Sequence, residues 1–94
     1  MRENESEGPA YEFEASYVYA SGERYNSGRG LSVISRDLAE QEALYERMKS
    51  DRERYALRLR RLDTGEVVRA HGDMAEAHRS MEAAYRLRHR PQVA

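Results

Sequence analysis

The stretch RYALRLRRLDTGEVVRAH, residues 54–71, decides the fold because it holds two strand patterns and the turn between them. Tyr55, Leu57 and Leu59 alternate with alanine and arginine, which is the two-residue period of a strand with one buried face. DTGE then supplies turn-forming residues, and VVRAH resumes a β-branched run. The stretch therefore predicts a β-hairpin.

A second pair of strands is predicted nearer the start of the chain. In YEFEASYVY, residues 11–19, aromatic residues and alanine alternate with glutamate and serine, the pattern of a half-buried strand. LSVIS, residues 31–35, is short and β-branched. Between them lies SGERYNSGRG, residues 21–30, which contains three of the six glycines.

Two amphipathic helices complete the pattern. The first is predicted from about Arg36 to Arg52 with Ser35 as its N-cap, and the second begins after Asp73, a good N-cap, and frays near Arg90. The apolar stripe of the second helix consists of Met74, Ala77, Met81, Ala84 and Tyr85. The order ββαββα predicts an α+β domain, a small antiparallel sheet with two helices on one face.

The domain boundaries follow from composition and length. Residues 1–10 predict a disordered leader, residues 11–90 a single α+β domain, and residues 91–94 a frayed tail. Ninety-four residues leave room for one core. The absence of cysteine excludes disulfides and thiolate chemistry and fits a reducing compartment. No apolar run has the length of a membrane span or signal peptide, so we expect a cytoplasmic protein with no membrane partner.

Arginine dominates the cations, with fifteen arginines against the single Lys49. Arginine codons are mostly rich in G and C, so the bias indicates a high-G+C bacterium, or a phage or mobile element of one. The net charge of −1 argues against a field that attracts the whole molecule to nucleic acid.

The glycine-rich stretch lacks the context of a phosphate-binding loop. Such a loop is followed at once by a helix, whereas LSVIS follows here, so the stretch is a connector between strands. It is long for a connector, and loops of that length are often functional. We expect Arg24, Tyr25 and Arg29 to project from its tip and to bind a partner, because tyrosine and arginine are enriched at interaction hot spots.

No catalytic, metal or cofactor site is predicted. Asp63-Thr64-Gly65 is the triplet of retroviral-type aspartic proteases, but Glu66 stands where such a loop has an apolar residue, so we interpret it as a turn. No two of the three histidines (His71, His78 and His89) are spaced as i and i+4. The chain is therefore predicted not to be an enzyme.

Two groups of arginines remain. If the strands containing them are neighbours, Arg58 and Arg60 pair with Glu12 and Glu14 across the outer face of the sheet. The second group lies on one face of the last helix and comprises Arg79, Arg86 and Arg90, with Arg88 beside them. Positive charge suits a helix C-terminus, which accounts for part of this group. The rest of the charge is available to phosphates or an acidic partner.

The sequence thus predicts a small accessory or regulatory protein that acts by macromolecular binding. The leading hypothesis is a protein–protein interaction module or inhibitor with an unknown protein partner. The alternative is a nucleic-acid-associated protein that makes weak contacts through the last helix. The small tyrosine-rich core without disulfides also predicts a symmetric homodimer.

Overall fold

A computed structural model describes residues 8–51 and 54–89 of the chain. Within these ranges, four strands form one antiparallel sheet and two helices pack against it. The elements are β1 (Tyr11–Tyr17), β2 (Gly30–Ser35), α1 (Leu38–Asp51), β3 (Tyr55–Arg61), β4 (Val67–His71) and α2 (Met74–Arg88). The strand order is β2-β1-β3-β4. The predicted α+β class and the order ββαββα are confirmed.

The core lies between α1 and one face of the sheet. Phe13 and Ala15 on β1 are directly opposite Leu59 and Leu57 on β3, and Tyr45 of α1 closes over them; these five side chains are at most 2% exposed. The Tyr45 ring meets that of Phe13 edge-on, with centroids 6.2 Å apart. Full burial of a large apolar side chain contributes about 1.5–3 kcal/mol, so this layer is the main source of stability.

The second helix packs on the opposite face of the sheet. Side chains of adjacent residues in a strand point to opposite faces of the sheet. Phe13 faces α1, so its neighbour Glu14 faces the other side, and there Nε2 of His78 on α2 lies 2.7 Å from Oε2 of Glu14. The helices therefore flank the sheet, whereas both were expected on one face.

Small side chains explain why α2 approaches the second face. Ser16 and Ala56 are directly opposite each other on β1 and β3, and both are buried, as is Ala77 of α2. Gly72, between β4 and α2, has φ +76°, and a Cβ there would lie 3.3 Å from Cα of Ala56. Four small residues thus let the helix lie close to the sheet.

Some helix and strand boundaries differ from the predictions. α1 begins at Leu38 because the carboxylate of Asp37, not the hydroxyl of Ser35, accepts a hydrogen bond from the Glu40 amide at 3.0 Å. The predicted helix end at Arg52 lies outside the described residues. β1 ends at Tyr17, two residues early, although the Val18 amide still donates to the Arg54 carbonyl at 2.7 Å.

The predicted cap and turn around the second hairpin are confirmed. The Asp73 carboxylate accepts a hydrogen bond from the Glu76 amide at 3.0 Å and caps α2. Asp63 lies in the exposed turn between β3 and β4, where Arg61 holds its carboxylate at 2.7 Å, and Gly65 has φ +78°.

The described part of the predicted leader is attached to the domain. The carbonyl of Ala10 accepts a hydrogen bond from the Leu62 amide, and that of Gly8 accepts one from Arg36, both at 2.9 Å. Residues 1–7 and the predicted tail, residues 91–94, lie outside the described residues.

Candidate binding surface

The connection between β1 and β2, residues 18–29, folds upon itself. The side chain of Tyr19 is only 7% exposed. Its hydroxyl donates to the Asn26 carbonyl at 3.0 Å and accepts from the Asn26 amide at 3.1 Å. These two bonds close the loop across seven residues, and a short 3-10 turn, Ser27–Arg29, leads into β2.

Glu23 joins the two sides of this loop. Its carboxylate accepts hydrogen bonds from the Ala20 amide at 2.6 Å, from Arg29 at 3.2 Å and from the Tyr17 hydroxyl at 3.3 Å. The hydrogen bond from the Ala20 amide is the largest cause that lowers the pKa of the Glu23 carboxyl, and Arg29 and Tyr17 add to it. The carboxylate is therefore held in its charged form by three donors.

Arg29 does not project from the tip, contrary to the sequence-based expectation. Its guanidinium lies 4.4 Å from the centroid of the Tyr17 ring and binds Glu23, so it packs inward as a cation–π and ion-pair contact. Of the three predicted tip residues, Arg24 is exposed and Tyr25 is half-buried.

Tyr25 attaches the loop to α2. Its amide donates to the Ala84 carbonyl at 3.1 Å, and its carbonyl accepts from Arg88 at 3.1 Å. Its ring meets that of Tyr85 edge-on, with centroids 5.6 Å apart, and stacks on that of Tyr19 at 6.2 Å. Tyr25 of the loop and the described arginines of α2 are therefore parts of a single surface, from which Arg29 is excluded.

We call this the α2–loop surface and define it by its exposed and half-buried side chains: Arg24, Tyr25, Arg79, Met81, Glu82, Tyr85, Arg86, Arg88 and His89. Its centre is Tyr85, which is 50% exposed although it contacts Tyr25 on one side and His89, at 4.1 Å, on the other. An exposed aromatic ring held in place by neighbours can accept a partner without losing much conformational entropy.

Two open grooves border Tyr85. One of about 920 Å³ lies between the start of the loop and α2, and is lined by Tyr19, Glu23, Ala83 and Leu87 among others. The other, of about 530 Å³, lies on the far side of Tyr85, where Met81 and Arg79 line it. Each groove therefore offers an apolar recess beside a charged side chain.

The predicted helix arginines have different environments. Arg79 is exposed beside the second groove, and Arg86 pairs with Glu82 one turn away at 3.3 Å. Arg88 is engaged with the Tyr25 carbonyl. Arg90 lies outside the described residues. Of the described arginines, Arg86 and Arg88 lie in the last turn of α2, at the negative end of the helix dipole, whereas Arg79 lies in the first half of the helix.

The charged pairs on the sheet were correctly predicted as structural. Arg58 binds Glu14 at 2.7 Å and Arg60 binds Glu12 at 2.8 Å, each directly across β1 and β3. The Arg60 hydrogen bond lowers the pKa of the Glu12 carboxyl against the opposing effect of its burial. These pairs cover the sheet on the α2 side.

One contact in this region was missed from the sequence. Glu14 binds Arg58 through Oε1 and His78 of α2 through Oε2, so one carboxylate joins β1, β3 and α2. In the sequence, only the position of His78 directly after Ala77 of the apolar stripe hints at this contact. Since both carboxylate oxygens are engaged, the arrangement fastens the helix to the sheet.

Within residues 8–51 and 54–89, no cluster of three or more histidine, aspartate or glutamate side chains is arranged to hold a metal ion. Neither of the described helices is long and apolar enough to span a bilayer. Comparison with protein-family models, with curated proteins and with solved structures gives no match.

Proposed function

We propose that this protein is a small non-enzymatic accessory or regulatory protein that binds an acidic segment of another protein through the α2–loop surface. The observation that supports this most is the exposed ring of Tyr85, fixed between Tyr25 and His89 and flanked by Arg79 and Arg86. Aromatic residues, methionine and arginine are the types enriched in protein interfaces.

Charge favours an acidic partner. The α2–loop surface carries Arg24, Arg79, Arg86 and Arg88 against the carboxylate of Glu82, since that of Glu23 in the adjoining groove is already engaged by Arg29. Because the whole chain has a net charge of −1, this positive region is a local feature that orients a partner. An apolar or aromatic side chain of the partner would enter a groove beside Tyr85, with acidic residues on either side.

Catalysis is not part of the proposal. The acid–base pair of Glu14 and His78, whose imidazole borders the second groove, is engaged with Arg58 in fastening α2 to the sheet. The proposal includes a cytoplasmic setting, which the cysteine-free composition favours.

A displayed library of random peptides tests the proposal because it samples many partner chemistries at once. Selection on the full chain should enrich peptides that combine acidic and aromatic residues. Amide chemical shifts that change on titration with a selected peptide should map to Tyr25 and residues 79–89. Enrichment of basic peptides, or shifts confined to α1, would contradict the proposal.

Matched variants sharpen the result. Arg79→Gln with Arg86→Gln removes two positive charges from the surface, and Arg47→Gln with Lys49→Gln removes two from α1, where both side chains are exposed. We expect the first pair to weaken peptide binding about tenfold or more and the second to leave it unchanged. Equal loss in both would show an effect of net charge alone.

Single-stranded nucleic acid is the second candidate partner, because an exposed tyrosine beside arginines can stack on a base. Glu82 within the surface and the net charge of −1 disfavour it. Titration with a fluorescent oligonucleotide at physiological salt distinguishes the two. Binding that weakens steeply with salt and is lost in Arg79→Gln with Arg86→Gln would replace the protein-binding proposal.

A further inference from the structure

The two edges of the sheet are built differently. β4 is interrupted by a bulge, since its register to β3 shifts between Leu59 and Arg60, and it carries Arg69 and His71. β2 pairs with β1 without interruption, and its sequence, GLSVIS, contains no charged residue and no proline. Bulges, charges and prolines are the features that keep an edge strand from pairing with another chain. β2 has none of them.

β2 also exposes apolar side chains on both faces. Ile34 is 63% exposed on the α2 side of the sheet, next to Glu12, and Leu31 is 38% exposed on the α1 side, next to Ala15. β4 exposes Val67 and Val68 as well, at 49% and 39%, but there the bulge breaks the regular backbone. Within the described sheet, an uninterrupted and uncharged edge coincides with exposed apolar side chains only at β2.

We propose that β2 pairs antiparallel with β2 of a second copy, so that two sheets join into one continuous sheet about a two-fold axis. A second copy is the occupant because an uncharged strand is its own complement: the contact is isologous and brings no like charges together along the strand. In the joined sheet, the α1 sides of both copies lie on the same face. Among the registers of the two β2 strands that allow this, those with the longest overlap place the two-fold axis beside Ser32 or Val33.

The charges on α1 fit this arrangement. Leu44 and Arg47 line a groove with Leu31 of β2, so this side of α1 borders the open edge. Glu40 lies on the same side, seven residues before Arg47. The two-fold axis makes the two copies of α1 antiparallel. Glu40 of one copy therefore lies at the same end of the interface as Arg47 of the other. The borders of the two edges therefore attract each other.

Sedimentation equilibrium of the full chain gives the first test. We expect a mass twice the 10.9 kDa of one chain at high micromolar concentration. Ile34→Lys should make the protein monomeric, because it brings like charges of the two copies together near the axis. The fold of each chain should tolerate the lysine, since Glu12 lies directly opposite it on β1. The matched control is Val67→Glu, opposite Arg60 on the other edge, which should remain a dimer.

Cross-linking locates the contact, since the chain has no native cysteine. We expect either Ser32→Cys or Val33→Cys to form a disulfide-linked dimer on mild oxidation, and Val68→Cys on β4 to form none. A monomeric mass at all concentrations would overturn the proposal. So would a dimer that survives Ile34→Lys, or one that cross-links through β4 and not through β2.

Discussion

At the scale of single residues, Tyr25 decides whether the loop stays on α2. Its ring contacts Tyr19 and Tyr85, and its backbone exchanges hydrogen bonds with Ala84 and Arg88. We expect Tyr25→Ala to lower the free energy of unfolding by about 1–3 kcal/mol, because it removes both aromatic contacts and leaves a gap. Denaturation in urea measures this change.

Arg24 is the matched control, since it is the adjacent residue and is exposed. Arg24→Ala should change the free energy of unfolding by less than about 0.5 kcal/mol. If Tyr25→Ala and Arg24→Ala are equally stable, the loop does not depend on α2. The sequence alone predicts no stability cost at either position, because it treats both as projecting side chains.

Glu12 gives a pH-dependent prediction. Its folded-state pKa is lowered below the ordinary 4.5 by the Arg60 hydrogen bond, so the folded chain binds that proton less readily than the unfolded chain. The resulting stability is present above pH 4.5 and is lost as the pH falls through the lowered folded-state pKa. Glu12→Gln should therefore be less stable near neutral pH and lose less stability on acidification.

Thermal melting between neutral and acidic pH measures this difference. Glu66→Gln serves as the control, because Glu66 is exposed in the turn before β4 and forms no ion pair within the described part of the chain. The control should follow the wild-type pH profile. A Glu12→Gln profile parallel to that of the wild type would show that the Arg60 pair does not stabilise the fold.

At the scale of elements, Gly72 positions α2 against the sheet. Gly72 and Gly65 have nearly the same φ, +76° and +78°, but a Cβ at Gly72 would meet Ala56 whereas one at Gly65 would meet nothing within 4 Å. Gly65→Ala should therefore cost only the backbone strain of a left-handed alanine, about 1 kcal/mol. Gly72→Ala should cost more, because Ala56 must also move.

Urea denaturation of the two variants gives the difference in their free energies of unfolding. This difference isolates the effect of the contact between residue 72 and Ala56, since the backbone strain is common to both variants. Equal costs would mean that the turn before α2 does not need to lie against β3. A further check is the Glu14–His78 contact: if Gly72→Ala shifts α2, the His78 ring resonances should move, whereas Gly65→Ala should leave them unchanged.

The strands were predictable because their two-residue period is strong in YEFEASY and YALRLRR, and the Asp73 cap because its chemistry is local. The position of α2 was not. Arg58 and Arg60 have the composition of a solvent-exposed face, and that composition predicts an open second face. The small residues Ser16, Ala56 and Ala77 were the available signal, since side chains of that size allow a helix to approach.

At the scale of the whole molecule, the α2–loop surface joins segments about sixty residues apart in the chain, as shown by the hydrogen bond from Tyr25 to Ala84. The sequence identified Tyr25 and the helix arginines separately as candidate contacts. It could not place them together, because their proximity depends on which face of the sheet α2 occupies. Arg29 was misjudged because its attraction to Tyr17 and Glu23 depends on how the loop closes.

The loop is folded against α2 and shares one surface with it. Amide hydrogen exchange at Tyr25, followed by NMR, tests this most directly because its amide donates to Ala84 of α2 at 3.1 Å. We predict that the Tyr25 amide exchanges far more slowly than the Arg24 amide and that the rings of Tyr25 and Tyr85 show a mutual Overhauser effect. Exchange at Tyr25 as fast as in an unstructured peptide, with no such effect, would contradict the account.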